Sequence, residues 1–138
     1  MLKFYSSFLL CLNDNCPRAK ECLHNSAYKE FGNSQKTINI INPNLYTELN
    51  AECSYFKTNQ SVKIAWGLKT LLDNLSYDIA KSMRRRLIQK FGQTKYYRFY
   101  REELPIIPED QKTIKQIFLD EGIESYPHFN RFSMEVIY

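Results

Sequence analysis

The sequence predicts an α+β fold, and three observations lead to it. Apolar residues recur at helical spacing over 79–91 and 114–118. β-Branched and aromatic stretches at 4–12, 37–41, 62–66 and 95–101 read as extended. No regular strand-helix-strand alternation runs through the chain, which argues against a doubly wound sheet. The expectation is a single compact domain over residues 1–138, a few short strands with three to four helices, and a cysteine-bearing N-terminal half. Residues 1–60 would be the cysteine-bearing front segment and 61–138 a helix and strand core. A chain of 138 residues buries roughly two thirds of its unfolded surface, so no staple is needed merely to fold.

Taken in order, 4–12 is too apolar and aromatic for a loop and ends at Asn13-Asp14-Asn15, which predicts a short strand. Cys16-Pro17 predicts a helix start, because proline at the first helical position lacks only an N–H that would have no partner. Ala19, Leu23 and Ala27 continue its apolar face to about Tyr28, and Gly32 follows its end. The β-branched alternation of 37–41 predicts a strand closed by Asn42-Pro43-Asn44, while 45–60 has no clear preference. Val62, Ile64 and Trp66 share one side of an extended segment, and Gly67 turns the chain into a short helix over 68–72. Ser76 caps the next helix, whose buried face is Ile79, Ala80, Met83, Leu87, Ile88 and Phe91, with Gly92 ending it in the left-handed position. Residues 95–101 read as an aromatic strand. Pro105 and Pro108 bound a turn, Ile114, Ile117 and Phe118 mark a last helix stopped by Gly122, and 129–138 returns as a terminal strand.

Composition and motifs exclude several functions. The four glycines are isolated, so neither a P-loop nor a dinucleotide fingerprint can be built. With His24 and His128 alone, and no Gly-x-Ser-x-Gly or His-Glu-x-x-His, the common hydrolase and metalloprotease templates lack their parts. The sequence supports no catalytic activity. The apolar start is interrupted by Ser6 and Ser7 and has no small-x-small cleavage site, and Leu10 stands where a lipoprotein site before Cys11 would carry a small residue. No run approaches the roughly 20 apolar residues of a membrane helix. A cytoplasmic location is expected, where persistent disulfides are uncommon.

Within that compartment the spacing Cys11-x4-Cys16-x5-Cys22, with Cys53 thirty-one residues later, is the main chemical signal. Free cysteine packs as a small hydrophobe with no reason to cluster, whereas four thiolates complete the shell of a tetrahedral zinc or of an iron-sulfur cluster. The gaps depart from paired Cys-x2-4-Cys knuckles. Three readings remain open: a metal site on Cys11, Cys16, Cys22 and Cys53; four buried reduced thiols; and a redox pair in which Cys16, at a helix N-terminus, is resolved by Cys11 or Cys22. His24, two residues after Cys22, is a substitute ligand.

The run Cys11-Leu12-Asn13-Asp14-Asn15-Cys16-Pro17-Arg18-Ala19-Lys20-Glu21-Cys22-Leu23, with Cys53-Ser54-Tyr55-Phe56, resembles a family of short bacterial proteins that carry an N-terminal cysteine cluster. The likeness extends through Arg84-Arg85-Arg86-Leu87-Ile88, Tyr96-Tyr97-Arg98 and Pro108-Glu109-Asp110-Gln111. It implies no activity, since the family has none assigned.

A second signal is charge. The chain carries +4 overall, and Lys or Arg occupies 81, 84, 85, 86, 90, 95, 98 and 101, with no acid between Asp78 and Glu102. Lys81, Arg85 and, beside them, Arg84 lie off the apolar helix face, while Tyr96, Arg98 and Tyr100 share a side of the expected strand. Tyr97 and Phe99 are read as core. Arginine for phosphate and tyrosine for stacking make Lys81, Arg85, Arg98 and Tyr100 candidate polyanion contacts. Pairing with Glu102, Glu103, Glu109 or Asp110 would cancel that field and leave a protein partner alone. The resulting expectation is a non-catalytic interaction module with a structural zinc. Its alternatives are a thiol-redox or iron-sulfur protein and a nucleic-acid-binding protein using residues 81–101.

Overall fold

Turn-forming Asn, Asp, Pro and Gly residues interrupt the apolar stretches often, so the strands are short and the helices provide most of the regular structure. The computed structural model describes residues 7–50 and 52–138, and it is α+β, as expected. Residues 4–6 of the expected first strand lie outside the described residues. The chain divides into two compact units, one formed by 7–61 together with Glu135–Tyr138, the other by Val62–Met134.

In the first unit β1 (Leu9–Leu10) pairs in parallel with β2 (Asn39–Ile40), and the Ile41 N–H extends the pairing to the Leu10 carbonyl at 2.9 Å. The helix expected from Cys16 does not form as one piece. A 3-10 turn at Ala19–Glu21 ends at Cys22, which is extended (φ −90°, ψ 124°), and α1 (Leu23–Phe31) begins after it. The cause is tertiary pairing: Cys22 bridges antiparallel to Thr58, Leu23 N–H donates to the Lys57 carbonyl at 2.7 Å, and Asn59 N–H to the Glu21 carbonyl at 3.0 Å. These bonds hold Cys22 in a strand conformation that an uninterrupted helix would forbid. Cys16 is therefore not at a helix N-terminus. A short helix α2 (Tyr46–Leu49) follows a 3-10 turn capped by the Asn42 side chain. Leu10, Leu23, Ala27 and Ile41 supply the buried aliphatic side chains. In the same unit Tyr138 donates from its hydroxyl to Glu30 at 2.8 Å and meets Phe8 and Phe31 edge-on. Burial and the Glu30 carboxylate push its hydroxyl up to about 12.

The second unit has the larger core. Here β3 (Val62–Trp66) pairs with β4 (Arg131–Glu135), and Ala65 exchanges both backbone bonds with Ile106. Around them lie α3 (Tyr77–Phe91), α4 (Gln93–Tyr100) and α5 (Pro108–Asp120), with Met83, Leu87, Tyr96, Phe99, Ile114 and Phe118 packed together and almost fully buried. Ile79, expected on the buried face of α3, is exposed. Residues 68–75 form successive turns in place of the expected short helix.

Two differences have clear physical causes. Residues 95–100 are helical: Tyr96 and Phe99 are buried at i, i+3 spacing, so packing overrides the β-propensity of an aromatic run. Gly92 makes two helices of what would be one, with φ +84° and ψ 154°, an extended backbone open essentially to glycine alone. Gly67, at φ +80°, is confined for a further reason, because a Cβ there would strike the Asn130 side chain.

Candidate metal centre

Each cysteine is placed by a different local device. Cys11 leaves β1 with its N–H bonded to the His24 carbonyl at 3.1 Å, Cys16 stands in the turn before Ala19, Cys22 caps α1, and Cys53 opens a turn closed by the Phe56 N–H at 3.2 Å. The pairing of Cys22 with Thr58 brings the segment after Cys53 alongside the start of α1. Asn13 adds a side-chain bond to Asn50 at 2.9 Å. All four cysteines consequently line one cavity, together with Arg18, His24, Asn25, Tyr55 and Phe56 among others. Its volume of about 30 Å³ exceeds what a single water-sized guest requires, about 10–15 Å³. None of the four is in a disulfide.

The electrostatics follow from that shared lining. Burial pushes the Cys11 thiol above its usual value, and the neighbouring sulfurs of Cys22, Cys16 and Cys53 push it further, since each thiolate repels the next. Tyr46, whose hydroxyl accepts from the Leu12 N–H at 3.2 Å, is raised for the same first reason, burial, with Cys11 beside it. Arg18 lies over the Phe56 ring at 3.2 Å from its centroid and brings a positive charge to the cavity wall.

Two polar residues of this wall carry signals the sequence reading missed or underused. Asn25 is 1% exposed; its Nδ2 donates to the Cys11 carbonyl and to Asp14, each at 3.2 Å. Two acceptors fix the amide orientation, and Asn25 Oδ1 is left buried without a partner. Only its place three residues after Cys22 hinted at this. His24 is buried, stacked on Phe8 and bonded through Nδ1 to the Leu9 carbonyl, so that bond requires the proton on Nδ1. Among the described residues, no three Cys, His, Asp or Glu side chains are drawn together as a group that holds an ion.

The candidate polyanion contacts are divided. Lys81 and Arg85 line a shallow depression on α3 with Arg84, Ile88 and Gln89, and Tyr100 lines an adjoining depression with Lys69, Arg84, Tyr96 and Tyr97. Arg98 lines neither, because on a helix it does not share a side with Tyr96 and Tyr100. Tyr97 lines the second depression, although the sequence reads it as core.

A model of a family of unknown function, DUF6078, matches residues 2–137. The chain belongs to the DUF6078 family. No curated protein and no solved structure matches it. In this DUF6078 member no helix of the described residues is long and apolar enough to cross a membrane.

Proposed function

We propose that the cysteine cavity is a structural metal site, with zinc held by Cys11, Cys16, Cys22 and Cys53, in a non-catalytic interaction module of the bacterial cytoplasm. The observation that carries this reading is the lining of one ion-sized cavity by all four thiols. The donor set fits the group: four soft sulfurs are the preferred shell of zinc, and a cation would turn their mutual repulsion into attraction. Arg18 on the wall brings a positive charge that suits a site whose ligands are anionic. Zinc requires sulfurs about 3.5–4 Å apart around bonds of about 2.3 Å, and each cysteine can adjust by rotation about one torsion. Bound there, the metal supplies cross-linking and no chemistry. A reducing compartment would keep the thiols available.

Metal analysis of protein purified without oxygen tests the reading. One zinc per chain is expected, released when all four thiols are titrated with a mercurial. Cobalt exchanged for the zinc should give the intense sulfur-to-metal absorption of a tetrahedral thiolate site, weakened in Cys22→Ser. A brown protein containing iron would replace this reading with a cluster. Four freely reactive thiols and no metal would end it.

A further inference from the structure

The basic face of Val62–Met134 has no part in the metal reading. Lys69, Arg84, Tyr96, Tyr97 and Tyr100, with Leu68 and Leu72, line a depression of about 270 Å³, a little below the range of pockets that enclose small ligands. It adjoins the shallower depression of about 390 Å³ that holds Lys81, Arg84 and Arg85, and Arg84 belongs to both. No carboxylate lines either.

Four acids that could neutralise this face pair with other cations, although Glu102 also feels the charge of Lys69. Glu102 pairs with Arg131 at 2.9 Å, Glu103 with Arg101 at 2.8 Å, Asp110 with Lys95 at 3.2 Å, and Glu121 with Arg86 at 2.7 Å. Lys69, Lys81, Arg84 and Arg85 form no ion pair with any described residue. Arg84 is nevertheless held in place: its guanidinium donates to the Tyr97 hydroxyl and stands 5.8 Å from that ring's centroid. The tyrosines brace one another edge-on, Tyr96 against Tyr97 at 5.2 Å and Tyr97 against Tyr100 at 6.5 Å. Tyr96 is buried as a fixed floor, and Tyr100 is exposed.

We propose that this face binds a segment of single-stranded nucleic acid, with a base seated among the tyrosines and phosphates on Lys69, Arg84, Lys81 and Arg85. A preset guanidinium with free N–H groups suits a phosphate oxygen pair. Aromatic rings beside a cationic track are the chemistry by which unpaired bases are held without sequence preference. Two adjoining depressions sharing one arginine suit consecutive nucleotides of a strand. A duplex, with its bases stacked inside, would reach the cations and leave the tyrosines unused.

Fluorescence anisotropy with the full chain and labelled oligo-dT of about twelve nucleotides tests this, against a duplex of equal length and against free UMP as competitor. If about four phosphates are neutralised, raising salt from about 50 to about 200 mM should weaken binding about 50-fold. Lys81→Glu with Arg85→Glu, both solvent-facing on α3, should weaken it by about a hundredfold, and Tyr100→Ala by about fivefold or more. Circular dichroism of each variant should match the parent, so that a loss is read as binding. The proposal is overturned by no binding at the lower salt, by binding indifferent to the double reversal, by a duplex that binds as well as the strand, or by UMP alone matching the strand.

Discussion

The two units solve the same problem with different materials. Val62–Met134 packs a cluster in which Phe99, Met83, Leu87, Ile106 and Ile114 are fully buried, and its helices run up to fifteen residues. Residues 7–61 have strands of two residues, a nine-residue α1, and a buried set that includes His24 and Asn25 beside a few aliphatic side chains. Burial of apolar area, at about 25 cal/mol per Å², is the main source of stability, so the first unit has less of it per residue ordered. Where the apolar core is thin the four cysteines line one cavity, and that is where a metal cross-link would contribute most.

The largest expected effect is removal of the proposed zinc. A structural zinc contributes about 10–16 kcal/mol of binding free energy in small metal-dependent domains. Chelation, or Cys22→Ser, should therefore release the backbone amides of 23–31 to hydrogen exchange while those of α3 and α5 keep their protection. Equal loss in both units, or none in either, would break the comparison. Next in size is Phe99→Ala. Phe99 is fully buried and meets Phe91 edge-on at 5.4 Å, and its truncation should cost the second unit about 3–5 kcal/mol in denaturant unfolding. The front unit's exchange pattern should stay unchanged; if it collapses together with the core, the units do not unfold separately.

The smallest effect is acid sensitivity, and it should touch both. The Asn25 side-chain hydrogen bond and then Lys29 hold Asp14 below the ordinary carboxylate value, and Asn130 and Arg131 do the same for Glu102. A carboxyl depressed in the folded state adds stability above its unfolded pKa, about 4, and loses it as pH falls through the folded value. Asp14→Asn should flatten the acid limb of the front unit alone, and Glu102→Gln that of the second unit alone, in exchange measured between about pH 5 and 3. A flat profile in the parent would remove these carboxylates from the account.

The sequence makes some of this legible and conceals the rest for identifiable reasons. The helices α3 and α5 are readable because Met83, Leu87, Ile114 and Phe118 repeat at helical spacing and Pro108 marks a start. The clustering of Cys11, Cys16 and Cys22 is visible in one dimension. What brings Cys53 to the same cavity is the pairing of Cys22 with Thr58, a long-range contact that also breaks the expected helix, and no local pattern announces it. The aromatic run at 96–100 misleads because tyrosine and phenylalanine favour strands in general, while here only the i, i+3 pair is buried. That single change of period removes Arg98 from the basic face and brings Tyr97 to it.

The bond from Tyr138 to Glu30 joins residues 108 apart in the chain, and it belongs to the unit whose main stretch is translated before residue 62. On the ribosome the two units therefore finish in an unusual order. Val62–Met134 is one continuous stretch and has all its parts once residue 134 has emerged. The cysteine-bearing unit is begun before the other and completed after it, since Phe8 and Phe31 wait for the Tyr138 ring. Until Tyr138 is made, the unit that carries the four cysteines lacks one of its own long-range contacts.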